Sequence, residues 1–174
     1  MKILALDLSS RSTGYAVKDG DKLIDYGCIS QSASKNYIER IYTITEKILE
    51  IIAEHNISTI YCEEVRFGDA NVHTFKTLMY LQSHIVCEVY MKLSKDIQFE
   101  FFQPSEHRAK VGIKTGRGVT REMCKAAAIN YVMQKYGITV NDDIADAITI
   151  ADAASKIAPP AAKLGKIGEG PSAF

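Results

Sequence analysis

The order in which apolar periodicities succeed one another restricts this chain to few architectures. Three runs with strand patterning come first, and only afterwards do helical and strand periods alternate. The run KILALDL, residues 2–8, is apolar enough throughout to predict a fully buried strand. After the turn SSRSTG, the segment YAVKDGDKLIDYGCIS predicts a hairpin folded about Asp19-Gly20-Asp21. From Ser34, taken as an N-cap, Ile38, Ile41, Ile44, Ile48, Ile51 and Ile52 recur at helical spacing to about Ala53. STIYCEEV predicts a second buried strand from Ser58, and RFGDANVH a loop. Leu78, Leu81, Ile85, Val89 and Leu93 mark a long amphipathic helix reaching about Lys95. A strand over Ile97–Phe102, one capped helical turn in QPSEHRAKVG, and a glycine-containing loop IKTGRGVT follow. Met123, Ala127, Tyr131 and Val132 then mark a helix closing at Gly137, before a last helix over DDIADAITIADA.

The order β-β-β-α-β-α-β-α-α predicts an α/β fold. Its mixed five-stranded sheet is antiparallel through the first three strands and parallel thereafter, with helices on both faces. The strands holding Asp7 and Glu63 should then be parallel neighbours. Both acids would emerge at carboxyl ends of strands, where open α/β sheets place their sites. Residues 1–157 read as one domain and residues 158–174, rich in Pro, Gly and Ala, as a loose tail.

The 174 residues and 47% hydrophobic content suit a single core. Lys+Arg and Asp+Glu both number 21, so any surface for a polyanion must be local. Cys28, Cys62, Cys87 and Cys124 lie far apart with no metal spacing, as expected of reduced thiols in a cytoplasmic protein. The opening MKILALDLSS reads as a strand rather than a signal peptide, and no stretch approaches the ~20 apolar residues of a membrane span. A soluble protein with no membrane partner is expected.

The final helix threads Asp142, Asp143, Asp146 and Asp152 through residues suited to burial. Asp143 and Asp146 share a helix face, as do Asp142 and Asp146, whereas Asp152 falls on another side and reads as a solvated charge. Asp142 can be explained as an acid complementing the helix dipole. Asp146, one turn in between Ala145 and Ala147, cannot. Asp7 ends an apolar strand, and Glu63 continues the phase of another, with Glu64 beside it as an alternative. Buried charges are costly unless paired or metal-bound. Convergence of Asp7, Glu63, Asp143 and Asp146 would recruit divalent cations, and all-oxygen ligands favour Mg²⁺, or Mn²⁺ in its place, over zinc. Two such ions serve phosphodiester hydrolysis.

Three motifs carry a resemblance. LALDLSSRSTGYAV, IYCEEV and DIADAITIADA are similar, in that order, to the catalytic segments of the RuvC family of Holliday-junction resolvases, in the ribonuclease H-like superfamily, especially its compact phage-encoded members. The resemblance spans residues 1 to about 157 and maps the catalytic acids onto Asp7, Glu63, Asp143 and Asp146. It implies a homodimeric, Mg²⁺-dependent endonuclease that nicks two strands of branched DNA at a four-way junction, with no small-molecule cofactor. Two departures stand out: Leu8-Ser9 replaces the usual Pro-Gly after the first aspartate, and Arg66 and Phe67 stand where an aromatic working at the junction centre is common.

Between His107 and Lys125 lie Arg108, Lys110, Lys114, Arg117 and Arg121 against Glu122 alone. Gly112, Gly116 and Gly118 there would let backbone approach phosphates. These five cations, with Arg11, Arg66 and Phe67, are the candidate DNA contacts. His73, His84 and His107 are not required as a base. The stripe Met79, Leu81, Ile85, Val86 and Val89 is primarily core, with Tyr80 and Tyr90 leaving room for a dimer face. Two other readings compete: a non-catalytic junction-binding module, and a single-domain relative of the actin and sugar-kinase ATPases.

Overall fold

The computed structural model describes residues 1–65 and 71–157, so Arg66, Phe67 and the predicted tail 158–174 lie outside the described residues. Strands β1 (Lys2–Asp7), β2 (Ser12–Asp19) and β3 (Lys22–Ser30) are followed by α1 (Tyr37–His55), β4 (Thr59–Glu63), α2 (Val72–Lys92), β5 (Gln98–Phe102), α3 (Pro104–Lys110), α4 (Arg121–Tyr136) and α5 (Asp142–Ser155). The sheet order is β3-β2-β1-β4-β5. β1–β2 and β2–β3 pair antiparallel, and β1–β4 and β4–β5 pair parallel, as the order of periods predicts.

Side-chain alternation sorts the sheet into two faces. Leu4, Leu6, Val17 and Ile60 pack against Ile41, Ile44, Ile48, Leu81 and Ile85 of α1 and α2. Ile3, Ala5, Ala16, Tyr61 and Phe102 pack against α4 and α5 on the other face. There α5 is buried on nearly every side, from Ala145 to Ala154. The small side chains of Ala5 and Ala16 beneath it leave room for that approach. Gly14 makes it closest: a Cβ there would stand 2.0 Å from the carbonyl oxygen of Asp143.

Several expectations shift. The α1 cap is Asn36 rather than Ser34, because Glu39 at the third helical position completes a reciprocal capping box with it. Helix α2 begins at Val72, inside the segment read as loop, because Asn71 caps it by accepting from the Thr74 amide at 2.9 Å. Met123 is exposed, so the buried stripe of α4 rests on Ala128 and Val132. Asp152 corrects the sequence reading most: it is 1% exposed and meets Lys18, itself fully buried. Among the described residues no helix is long and apolar enough to cross a membrane.

Candidate active site

Strand phase delivers the first two acids. Ile3 and Ala5 face α5, so Asp7 faces it too. Tyr61 faces the same way and stacks on Phe102 at 5.5 Å, which carries Glu63 to that side and leaves Glu64 exposed in the opposite phase. Because Leu6 pairs with Cys62 across the parallel β1–β4 ladder, Asp7 and Glu63 leave adjacent strand ends. The second pair comes from α5. Asn141 caps that helix, its side chain accepting from the Ile144 amide at 3.0 Å. Asp7 lies opposite Gly14 in the β1–β2 ladder, and it is Gly14 that admits the first turn of α5, setting Asp143 and Asp146 over Asp7. The Ser12 hydroxyl donates to Asp143 Oδ2. Asp142 is engaged separately by Lys125, whose hydrogen bond holds it below the ordinary carboxylate range.

Burial, then the charges of Asp146, Glu63 and Asp143, push Asp7 well above the ordinary carboxylate range, with Arg108 opposing. Burial raises Asp146 as well, against the pull of Arg108. One Asp146 oxygen, Oδ1, is buried with no hydrogen-bond partner. Arg108 Nη2 stands 3.8 Å from both Glu63 Oε2 and Asp146 Oδ2, and His107 Nε2 lies 2.9 Å from Glu63 Oε2. Among the described residues no three acidic, His or Cys side chains are already closed to metal-ligand distances. Bringing the charged forms of such acids together is costly, since two like charges 4 Å apart repel by ~4 kcal/mol at an effective dielectric of 20. The acids are gathered but not closed. They line a cleft of about 520 Å³ together with Thr115, Arg121 and Lys125. Hard oxygen donors, a buried orphan oxygen and two acids raised by burial and neighbouring carboxylates fit a divalent cation.

The family model described as crossover junction endodeoxyribonuclease RuvC matches residues 3–153. The chain belongs to the RuvC family. RuvC of Finegoldia magna is 26% identical over 155 residues, covering 87% of this chain and 90% of that protein. RuvC of Citrifermentans bemidjiense is 38% identical over 69 residues, covering 37% of this chain and 42% of its own. Among solved structures, T. thermophilus RuvC in complex with Holliday junction substrate superposes with a TM-score of 0.67 at 15% identity, covering 88% of this chain and 91% of that one. Fowlpox virus resolvase with its substrate Holliday junction DNA gives 0.56 at 16% identity, covering 89% and 97%. At these identities the structures share a fold, the ribonuclease H-like one. As a RuvC-family member the chain is a crossover junction endodeoxyribonuclease, which sets aside the binding-module and ATPase readings.

Around the acids of this RuvC chain the predicted DNA contacts divide. Lys114 and Arg117 are exposed in the loop before α4, where Gly112, Gly116 and Gly118 all take positive φ. Arg121 is exposed at the start of α4 on the cleft wall, and Arg11 is exposed in the β1–β2 turn. Arg108 points inward to the acids, and Lys110 pairs with Glu106 at 3.7 Å. Sequence reasoning missed what Ser12, Gly14 and Lys125 contribute. None of the three stood out, because Ser12 and Gly14 fall in SSRSTG, read as a turn, whereas β2 already starts at Ser12.

Proposed function

We propose that this chain resolves four-way DNA junctions by paired nicks, with two Mg²⁺ ions held by Asp7, Glu63, Asp143 and Asp146. Mn²⁺ would substitute. The RuvC family is divalent-metal dependent, and the observation that carries the assignment here is the Asp146 oxygen left buried and unpartnered beside Asp7, with burial and neighbouring carboxylates raising both acids. When bound, the two cations supply Lewis acidity toward the scissile phosphodiester and toward the attacking water. The chain's own residues do the rest. Asp7 and Asp146 offer desolvated oxygens whose repulsion a cation relieves, and Glu63 adds an oxygen from the neighbouring strand end. Ser12 orients Asp143 through its Oδ2. Lys125 occupies Asp142, which favours Asp143 as the ligand, and the strand phase favours Glu63 over Glu64. Lys114, Arg117, Arg121 and Arg11, all exposed and Arg121 at the cleft itself, would take phosphates of the junction arms.

The protein acts as a homodimer in the cytoplasm. An apolar groove of about 410 Å³ between α1 and α2, lined by Tyr37, Ile38, Ile41, Tyr42, Tyr80 and His84, supports a face between two copies, with Tyr37 stacked on Tyr80 at 6.4 Å. A two-fold axis would present two sites to two junction strands. The test is a synthetic four-way junction incubated with and without Mg²⁺, with D7N and D146N beside the parent. Paired nicks that require Mg²⁺ and vanish in both variants are expected. Cleavage that survives chelation, or survives D146N, overturns the assignment.

A further inference from the structure

Of the four acids Glu63 is the hardest to hold still. Its side chain has three rotatable torsions against two for aspartate, and it is 26% exposed where Asp146 is 10% exposed. It also sits at the last residue of β4, where the ladder ends. Asp143 has Ser12, while Asp7 and Asp146 are short and tightly surrounded. What holds Glu63 is His107, from the short α3 helix, whose imidazole has no exposed surface.

Its two ring nitrogens are unequal. Nε2 lies 2.9 Å from Glu63 Oε2, and Nδ1 is buried with no partner. An orphaned N–H costs more than an orphaned lone pair, and carboxylate oxygens accept but do not donate. The proton therefore belongs on Nε2, directed at Glu63. A side chain kept only for packing has no reason to bring in a nitrogen that nothing satisfies. An apolar side chain of like size would fill the space without that penalty. Arg108, at 3.8 Å from the same oxygen, is too far for a hydrogen bond and fixes no direction.

We propose that His107 is the positioning residue for Glu63, donating from Nε2 to fix the carboxylate so that its remaining lone pairs face the cation. The inference rests on reading Glu63 as a cation ligand. Hydrogen bonds of this kind orient ligating carboxylates, and their removal typically costs about 10–100-fold in metal affinity or activity.

The test is Mn²⁺ titration of the full chain without DNA, by calorimetry, with circular dichroism to check folding. His107→Leu fills similar space without a donor, and His107→Gln returns a donor at nearly the same reach. H107L should weaken Mn²⁺ binding about 10–100-fold, and H107Q should recover most of that loss. With junction and Mg²⁺ present, H107L should lower kcat while leaving KM for the junction unchanged. In an E63Q background H107L should add nothing. H107L binding Mn²⁺ as the parent does, or H107Q falling as far as H107L, overturns the proposal. If H107L does not fold, the decision passes to H107N, whose amide is too short to reach Glu63: weakened binding supports the role, and parental binding overturns it. E63Q separates the two levels. Loss of Mn²⁺ in E63Q with none in H107L rejects only the role of His107, whereas parental Mn²⁺ binding in E63Q rejects Glu63 as a ligand.

Discussion

Helix α5 buries two carboxylates six residues apart, and they are built in opposite ways. Asp152 is saturated. Lys18 Nζ at 2.5 Å and the Tyr136 hydroxyl at 2.7 Å donate to Oδ1, while the Tyr131 hydroxyl and Lys135 Nζ, both at 2.9 Å, hold Oδ2. Burial alone would push Asp152 up, but the bonds from Lys18, Tyr136 and Lys135 outweigh it and hold the acid below the ordinary carboxylate range. Asp146 has an oxygen with no partner, like charges nearby, and Arg108 at arm's length. The same residue type on the same helix thus serves two purposes. One acid ties α5 to β2 and α4, and the other leaves a buried oxygen without a polypeptide partner, as the proposed cation site requires. Burial does not separate a structural acid from a working one. The state of its lone pairs does.

Charge removal should break the comparison at its chemical end first. D146N should lower single-turnover junction cleavage by about 10³-fold, the equivalent of several kcal/mol of lost transition-state stabilisation, with binding to the junction kept. D152N, assayed below its melting temperature, should still cut. At the structural end, D152N leaves Lys18 buried without a counter-charge and should cost about 3–5 kcal/mol in urea unfolding. Replacing both partners with apolar residues, as K18M/D152L, should recover much of that loss.

A smaller effect has opposite signs at the two ends. The raised Asp7 holds in the native state a proton that the unfolded chain has released. Its contribution is therefore fully present below about pH 4 and is lost as pH rises through the raised value. Asp152 is depressed, so its contribution is present above about pH 4 and is lost as pH falls through the lowered value. In metal-free protein at pH 7, D7N should accordingly raise the melting temperature, by roughly 2–4 °C for each kcal/mol relieved in a chain of this size. D152N should lower it. The smallest effect concerns DNA: K114A or R117A should each reduce the log–log salt slope of junction binding by ~0.9. K135A, at the Asp152 end, should leave that slope unchanged.

The sequence shows one end of α5 better than the other for a physical reason. Asp7, Glu63 and Asp146 break the apolar phase of their own elements, so each is visible locally, and the strand order brings them together. Asp152 looks like an ordinary helix charge because its partner Lys18 lies 134 residues away. A helix covered on all sides also has no solvated face to give such a charge. His107 and Glu63 are 44 residues apart, and nothing local marks their contact. The antiparallel-then-parallel sheet was legible because it needs only the order of periods. The start of α2 was not, because Asn71 and Val72 sit among turn-forming residues and the Asn71 cap to Thr74 declares itself only in three dimensions.

The most direct measurement is anomalous scattering from a crystal soaked in Mn²⁺. Ion density among the carboxylates of Asp7, Glu63, Asp143 and Asp146, with none at Asp152, is the predicted result. A cleft without ions in a crystal whose protein still cuts junctions in Mn²⁺ would contradict it.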